Sequence, residues 1–101
     1  HLRRRRLDDA ERHLRTARAL AATLGADRLH LAAQNNLGEV YRYRGDTRSA
    51  EKCYRWTARF AEERGWGTIA AVARLDLALV AMARDADVDN PSLFEGRRKS
   101  S

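Results

Sequence analysis

The sequence has few of the residues that interrupt helices or cross-link chains. It contains one proline, Pro91, and one cysteine, Cys53, so no proline breaks the first ninety residues and no disulfide can form within the chain. Aromatic residues make up 7% of the chain and β-branched residues are few, which disfavours a sheet. Alanine and leucine, which favour helix, supply most of the apolar residues. The composition therefore predicts an all-α chain up to about residue 90.

Long apolar runs are also missing. Charged side chains interrupt every stretch before it reaches the roughly 18 apolar residues that a membrane-spanning helix needs. The basic residues at positions 1–6 lead into Asp8 and Asp9 and not into an apolar segment, so no signal peptide is visible. Together with the single cysteine, these features predict a cytoplasmic protein without membrane insertion.

The net charge of +6 raises the question of a nucleic-acid partner. Seven of the positive charges lie near the two ends, in Arg3–Arg6 and in Arg97, Arg98 and Lys99, whereas the central segment mixes both signs. Phosphate binding needs basic residues gathered on one surface, and this distribution does not predict one. Nucleic-acid binding through the basic termini is therefore the weakest of the functions that the sequence leaves open.

A repeat with a period of forty residues runs through the chain. Shifting the sequence by this distance aligns small, large and glycine residues together, which a chance match would not do. The identical pairs are Ala10 with Ala50, Glu11 with Glu51, Arg15 with Arg55, Ala21 with Ala61, Gly25 with Gly65, Ala33 with Ala73, Leu37 with Leu77, Val40 with Val80 and Arg44 with Arg84. The repeat covers roughly residues 7–87.

The segments between glycines have helical periodicity, and each glycine lies where a helix should end. Four helices are expected: about 4–24, 28–44, one that begins after Asp46 or Thr47 and ends before Gly65, and about 68–84. The short links force consecutive helices to lie antiparallel. Each helical hairpin leaves an apolar face that the next hairpin buries, so the predicted architecture is a stacked α-solenoid.

The predicted domain covers residues 1–87, and an irregular or disordered tail is expected over 88–101. The repeat register begins on the second helix of one unit and stops after the first helix of another. We therefore expect this domain to be a fragment of a longer array, with apolar surface that is incompletely buried at both ends.

Several residues of the central hairpin follow a known spacing. The spacing is W-x2-L-G-x2-Y, then A-x3-F, then P. It is matched by Leu37, Gly38, Tyr41, Ala50 and the aromatic Tyr54, whereas Gln34 stands in place of the tryptophan and Glu62 in place of the proline. In these positions the stretch 34–62 resembles the tetratricopeptide repeat. The forty-residue period of this chain is similar to that of the longer-helix variants in kinesin light chains and in many bacterial signalling and regulatory proteins. The resemblance implies a non-enzymatic scaffold that binds a protein or peptide. The sequence does not identify that partner.

The same resemblance implies that the first helix of each hairpin lines a concave binding face. In the second predicted helix, the residues on or beside that open face include Asn35, Asn36, Glu39, Arg42 and Tyr43. Members of the resembling families commonly use an asparagine just before the Leu-Gly pair to bond the backbone of a bound peptide, and Asn36 holds that place. An amide suits this work because it both donates and accepts hydrogen bonds. The alternative is that Asn35 and Asn36 are solvated or support a neighbouring turn.

The fourth predicted helix is apolar on the corresponding face, at Val72, Leu75, Leu79 and Met82. Such a face is either a pocket for a hydrophobic partner or a surface covered by another repeat or by a second copy of the chain. Self-association as a homo-oligomer is therefore the alternative function.

Catalysis and cofactor binding find little support in the sequence. His1, His13 and His30 are scattered, and no Ser-His-Asp or Cys-His grouping is evident. Cys53 lies one repeat after His13, but two ligands are too few for a structural zinc site. We predict no catalytic residues, no metal and no cofactor.

Overall fold

The computed structural model describes residues 2–89, which form four helices: α1 Leu2–Leu24, α2 Asp27–Arg44, α3 Thr47–Glu63 and α4 Gly67–Asp89. Each helix packs on the next one along the chain. The Cα radius of gyration is 15.5 Å, larger than the ~13 Å expected of a compact domain of about 100 residues. The helices therefore form an extended stack, which confirms the predicted all-α, solenoid-like fold.

The three turns between the helices have the same geometry. Gly25, Gly45 and Gly65 each have positive φ, between 67° and 82°, which costs a residue without a Cβ the least. At the second turn the Gly45 N–H donates to the Arg42 carbonyl and the Asp46 N–H to the Tyr41 carbonyl, at 3.0 and 2.9 Å. This Schellman motif terminates α2, and equivalent bonds terminate α1 and α3.

The second turn also carries the predicted helix start. Asp46 accepts a hydrogen bond from the Ser49 N–H at 3.2 Å, so Asp46 and not Thr47 is the N-cap of α3. At the other end of the chain, α4 continues to Asp89, beyond the end predicted near Arg84. No glycine or proline separates Arg84 from Asp89, so nothing in the sequence stops the helix sooner. Residues 90–101 of the predicted tail lie outside the described residues.

The core follows the repeat register, with small residues at the helix contacts. Leu31, Ala61 and Ala70 are buried together, flanked by Phe60, Trp66 and Ile69. A second buried set joins Ala50, Tyr54 and Val80 across α3 and α4, with Tyr41 and Leu77 beside it. The alanines let the helix axes approach closely, and the larger side chains fill the space beside each contact.

Ion pairs between neighbouring helices repeat with the same period. Glu11 of α1 pairs with Arg15 at 2.8 Å and with Arg44 of α2 at 3.2 Å. One repeat later, Glu51 of α3 pairs with Arg55 at 3.6 Å and with Arg84 of α4. The two clusters occupy matching positions on the two helix pairs α1–α2 and α3–α4. The forty-residue register therefore describes contacts in three dimensions and not only similarity in sequence.

Candidate functional site

The site is built on the closest approach of α2 and α3, at Gly38. A Cβ atom at this position would lie 2.9 Å from Cε1 and 3.1 Å from Cζ of Tyr54, and 3.2 Å from Cβ of Cys53. Only a glycine leaves room for the Tyr54 ring, which is completely buried. The ring passes between the helices so that its hydroxyl reaches polar groups on α2.

The Tyr54 hydroxyl donates a 2.9 Å hydrogen bond to Oε1 of Glu39. The other oxygen of the same carboxylate, Oε2, accepts a 2.6 Å hydrogen bond from Nη2 of Arg42. The side chains of Glu39 and Arg42 are 29% and 37% exposed, so this pair is open to solvent on one side. Burial, followed by the hydrogen bond to Glu39, raises the pKa of Tyr54 far above its ordinary value, so its hydroxyl keeps the proton that it donates.

A residue of α4 completes this polar cluster, which consists of Glu39, Arg42, Tyr54 and Asp76. Burial, and secondly the negative charge of Glu39, raise the pKa of Asp76 above its ordinary value, while Arg42 acts in the opposite direction. The positive charge of Arg42 therefore acts on both carboxylates, while its hydrogen bond is made to Glu39. The cluster carries a net negative charge when both carboxylates are ionised, and a positively charged group brought to it would be stabilised.

The raised pKa of Asp76 predicts a pH-dependent effect of the Asp76→Asn substitution. The folded chain holds a proton on Asp76 more tightly than the unfolded chain does, so stability falls as the pH rises from the unfolded pKa to the folded pKa and stays lower above it. The variant is expected to have a higher free energy of unfolding at pH 7. This gain should shrink as the pH falls to the range in which an ordinary aspartate takes up a proton. Urea unfolding monitored by circular dichroism across this pH range measures the difference.

The control for that experiment is Asp9→Asn on the exposed surface of α1, where Asp9 pairs with Arg12 at 3.1 Å. It removes the same charge from the chain without touching the polar cluster and is expected to give no gain in stability. A stability gain at pH 7 that is equal for both variants would mean that net charge, and not the environment of Asp76, is responsible.

The five residues predicted to bind a partner lie on different surfaces. Glu39 and Arg42 meet in the polar cluster, and Asn35 is half-buried on the same stripe of α2, one helical turn before Glu39. Asn36 is exposed and lines an apolar groove between α1 and α2. Tyr43, which is 59% exposed, lines a separate basic depression with Arg44 and the first residues of α1.

The predicted apolar residues of α4 are strongly exposed. Val72, Leu75, Leu79 and Met82 show 52%, 59%, 45% and 67% of their surface to solvent. We call these four residues the α4 face. Asp76 lies in the same helix segment, and the sequence alone did not single it out. The signal that could have found it is its position, because Asp76 stands one repeat after Asn36 in a helix that is otherwise mostly apolar.

The described residues give no geometric support to a metal centre. No group of three or more His, Cys, Asp or Glu side chains within residues 2–89 is placed to hold an ion. Cys53 is buried, and burial raises the pKa of its thiol, so it is a poor nucleophile. None of the four helices, as far as they are described, is long and apolar enough to cross a membrane.

Comparison with known proteins supports the resemblance seen in the central hairpin. The family model described as tetratricopeptide repeat matches residues 1–63, which is more than half of the chain. No curated protein and no solved structure matches significantly. The matched residues contain α1, α2 and α3 and therefore three of the four groups of the polar cluster.

Proposed function

Because this chain belongs to the tetratricopeptide repeat family, we propose that it is a non-enzymatic module that holds a basic, extended segment of a partner protein. Repeats of this family generally mediate protein–protein interaction. Stacked helical hairpins suit this work because they present one continuous surface formed by successive helices. The proposed binding surface runs from α2 to α4, the first helices of two consecutive hairpins.

The observation that supports this proposal is the polar cluster between these two helices. Other charged side chains among the described residues form ion pairs of balanced charge, such as Arg12 with Asp9 and Arg74 with Glu62. The polar cluster differs, because Glu39 and Asp76 together outnumber the positive charge of Arg42. A lysine or arginine of a bound peptide would supply the missing positive charge.

Each residue of the surface has a separate role in this proposal. Glu39 and Asp76 attract the basic side chain, and Arg42 orients the Glu39 carboxylate through the 2.6 Å hydrogen bond. The Tyr54 hydroxyl holds the other oxygen of that carboxylate through its 2.9 Å hydrogen bond. Asn35, one turn away on the same stripe of α2, can bond to the peptide backbone, because its amide both donates and accepts. Asn36 belongs to a different surface and takes no part.

A displayed library of random peptides, selected on the immobilised chain, tests this function. Selected peptides are expected to be richer in lysine and arginine than the starting library. The variant Glu39→Gln with Asp76→Asn should bind them about tenfold more weakly, since each partly exposed charge pair contributes roughly 0.2–1 kcal/mol. Fluorescence anisotropy with a selected peptide measures the affinities, which are expected to fall as salt is added.

A matched control removes the same two charges elsewhere, through Asp9→Asn with Glu63→Gln on exposed positions of α1 and α3. This control is expected to keep the affinity within about twofold. Selection that enriches no sequence would contradict peptide binding. Enriched peptides that bind equally to the cluster variant and to the control would contradict the assignment of the site to the polar cluster.

A further inference from the structure

Within residues 2–89, two apolar surfaces are left uncovered, at opposite ends of the described stack. The first is a groove between α1 and α2, which we call the α1–α2 groove; its lining includes Leu14, Ala17, Leu20, Leu24, Leu29 and Asn36. Leu20, Leu24 and Leu29 expose 58%, 77% and 68% of their surface. The second is the α4 face defined above. Single exposed apolar residues are common on proteins, but contiguous sets of this kind mark contact surfaces.

The internal repeat shows what kind of object fits the α1–α2 groove. Forty residues further along the chain, Leu20 and Leu29 correspond to Phe60 and Ile69. Both of these pack against a cluster that contains Leu31 of α2. The surface equivalent to the groove is therefore covered by a helix within the same chain.

The same register identifies the helix that would fit. Since α2 covers the surface formed by α3 and α4, the groove one repeat earlier should receive a helix of the α2 type. Within the described residues α4 is the repeat equivalent of α2, and its outer face is uncovered. We propose that the α1–α2 groove of one copy of the chain binds α4 of a second copy, so that the solenoid continues from molecule to molecule.

The steric match at this junction is complementary on both sides. Inside the chain, Gly38 faces the Tyr54 ring, with no room for a Cβ atom. At the proposed junction their repeat equivalents, Ala78 and Leu14, would face each other. Ala78 is larger than Gly38 by one methyl group, and Leu14 is smaller than Tyr54. Both changes therefore keep the volume of the contact nearly constant.

The residues on the two sides of the contact also change polarity together, from polar inside the chain to mostly apolar at the junction. Inside the chain, Glu39 and Arg42 of α2 face Tyr54 and Asp76 in the polar cluster. The equivalent residues at the junction are Leu79 and Met82 on one side, and Leu14 and Asn36 on the other. Three of these four residues are apolar, so burial of the junction would remove apolar surface from water without stranding a charge.

The charges at the ends of the two helices are also complementary. In the α2–α3 hairpin, the last residues of α2 lie beside the first residues of α3, and the junction would place the end of α4 beside the start of α1. The start of α1 carries Arg3–Arg6, and the end of α4 carries Asp85, whose side chain is 71% exposed and lies 3.8 Å from Arg84, a residue that also pairs with Glu51 of α3. Opposite charges would therefore meet and favour this orientation.

A junction of this kind joins two different surfaces, so every complex keeps one free groove and one free α4 face. The wild-type chain is therefore expected to grow beyond a dimer as its concentration rises. Sedimentation velocity and light scattering over a wide concentration range measure this. A mass that remains at the 11.5 kDa of one chain at the highest concentration would overturn the proposal.

Two half-blocked variants test the junction itself. Leu75→Glu with Leu79→Glu blocks the α4 face, and Leu20→Glu with Leu29→Glu blocks the groove. Each variant alone is expected to associate at least about a hundredfold more weakly than the wild type, because two carboxylates would be buried without partners. An equimolar mixture retains one intact junction and should form a complex of twice the 11.5 kDa chain mass, with no further growth.

The four substituted leucines expose between 45% and 68% of their surface, so both variants are expected to fold, which circular dichroism checks. Lys52→Gln with Arg59→Gln on the exposed side of α3 changes the net charge by the same two units and should assemble like the wild type. A mixture of the half-blocked variants that stays monomeric would overturn the junction. Undiminished assembly of either variant alone would show a different interface and would equally overturn it.

Discussion

Replacing Tyr54 by alanine is expected to lower the free energy of unfolding by about 3–5 kcal/mol. Tyr54 has no exposed surface, and it is the largest side chain that is fully buried among the described residues. Its ring lies where α2, α3 and α4 meet, against Gly38 on one side and in a buried set with Val80 on the other. Truncation would leave a cavity between three helices that are each held mainly by their neighbours.

Thermal and urea unfolding followed by circular dichroism measure this loss. For a domain of about 100 residues, it corresponds to a fall in Tm of at least roughly 12 °C. Tyr43→Ala is the control, because Tyr43 is 59% exposed, and it is expected to change stability by no more than about 0.5 kcal/mol. Equal effects of the two substitutions would contradict the placement of Tyr54 at the centre of the core.

Tyr54→Phe separates the ring from the hydroxyl. Phenylalanine keeps the packing but removes the donor of the 2.9 Å hydrogen bond to Glu39, which is charged. Hydrogen bonds to charged groups contribute about 1.5–3 kcal/mol, and the partly exposed Glu39 can regain water, so the expected loss lies at the lower end of this range. The order of stability should therefore be wild type, then Tyr54→Phe, then Tyr54→Ala.

The helices and turns could be predicted from the sequence because their causes are local. Gly25, Gly45 and Gly65 each supply the positive φ that ends a helix, and the apolar period between them is that of a helix. The end of α4 could not be predicted in the same way. The sequence predicts an end near residue 84 because Arg84 is the repeat equivalent of Arg44 at the end of α2, but repeat register and helicity are separate properties.

The candidate site was only partly predictable, because its residues come from three helices. Helical spacing already separates the predicted set: Asn35, Glu39 and Arg42 lie at i, i+4 and i+7 on one stripe. Asn36 and Tyr43 lie about 100° further around α2 and face other surfaces. The contributions of Tyr54 and Asp76 depend on how α3 and α4 pack against α2, and this packing cannot be predicted from any one segment of the sequence.

The contacts that Tyr41 makes across helices could not be predicted from the sequence either. The Tyr41 ring borders the buried set formed by Ala50, Tyr54 and Val80. Its hydroxyl, however, reaches back to α1, where it accepts a 2.8 Å bond from Arg15 and donates a 3.1 Å bond to Glu11. One side chain thus joins three helices, because a tyrosine has an apolar ring for the core and a polar end for the surface.

Gly38→Val is expected to lower the free energy of unfolding by roughly 2–3 kcal/mol. A Cβ atom alone would lie 2.9 Å from the Tyr54 ring, and valine adds two further methyl groups at the same contact. Glycine is itself a poor helix former, so alanine at this position would regain about 1 kcal/mol of helix propensity. Gly38→Ala is therefore expected to cost less than Gly38→Val, because its single methyl group causes less overpacking and its propensity gain is larger. Urea unfolding measures both variants.

The repeat supplies the control for this prediction. Ala78 stands one repeat after Gly38 but is exposed on α4, so Ala78→Val should change the stability of the monomer, measured at high dilution, by no more than about 0.5 kcal/mol. An equal loss for Gly38→Val and Ala78→Val would show that β-branching in the helix, and not contact with Tyr54, causes the effect.

A double-mutant cycle between Gly38→Ala and Tyr54→Leu then isolates the contact itself. Leucine in place of Tyr54 removes the ring atoms that the new Cβ would meet, so the two substitutions together should cost at least about 1 kcal/mol less than the sum of their separate costs. The combined variant reproduces, inside one chain, the alanine and leucine that Ala78 and Leu14 would bring together between two chains. Coupling near zero would mean that the helices adjust freely at this point, and the steric argument for the junction between copies would lose its basis.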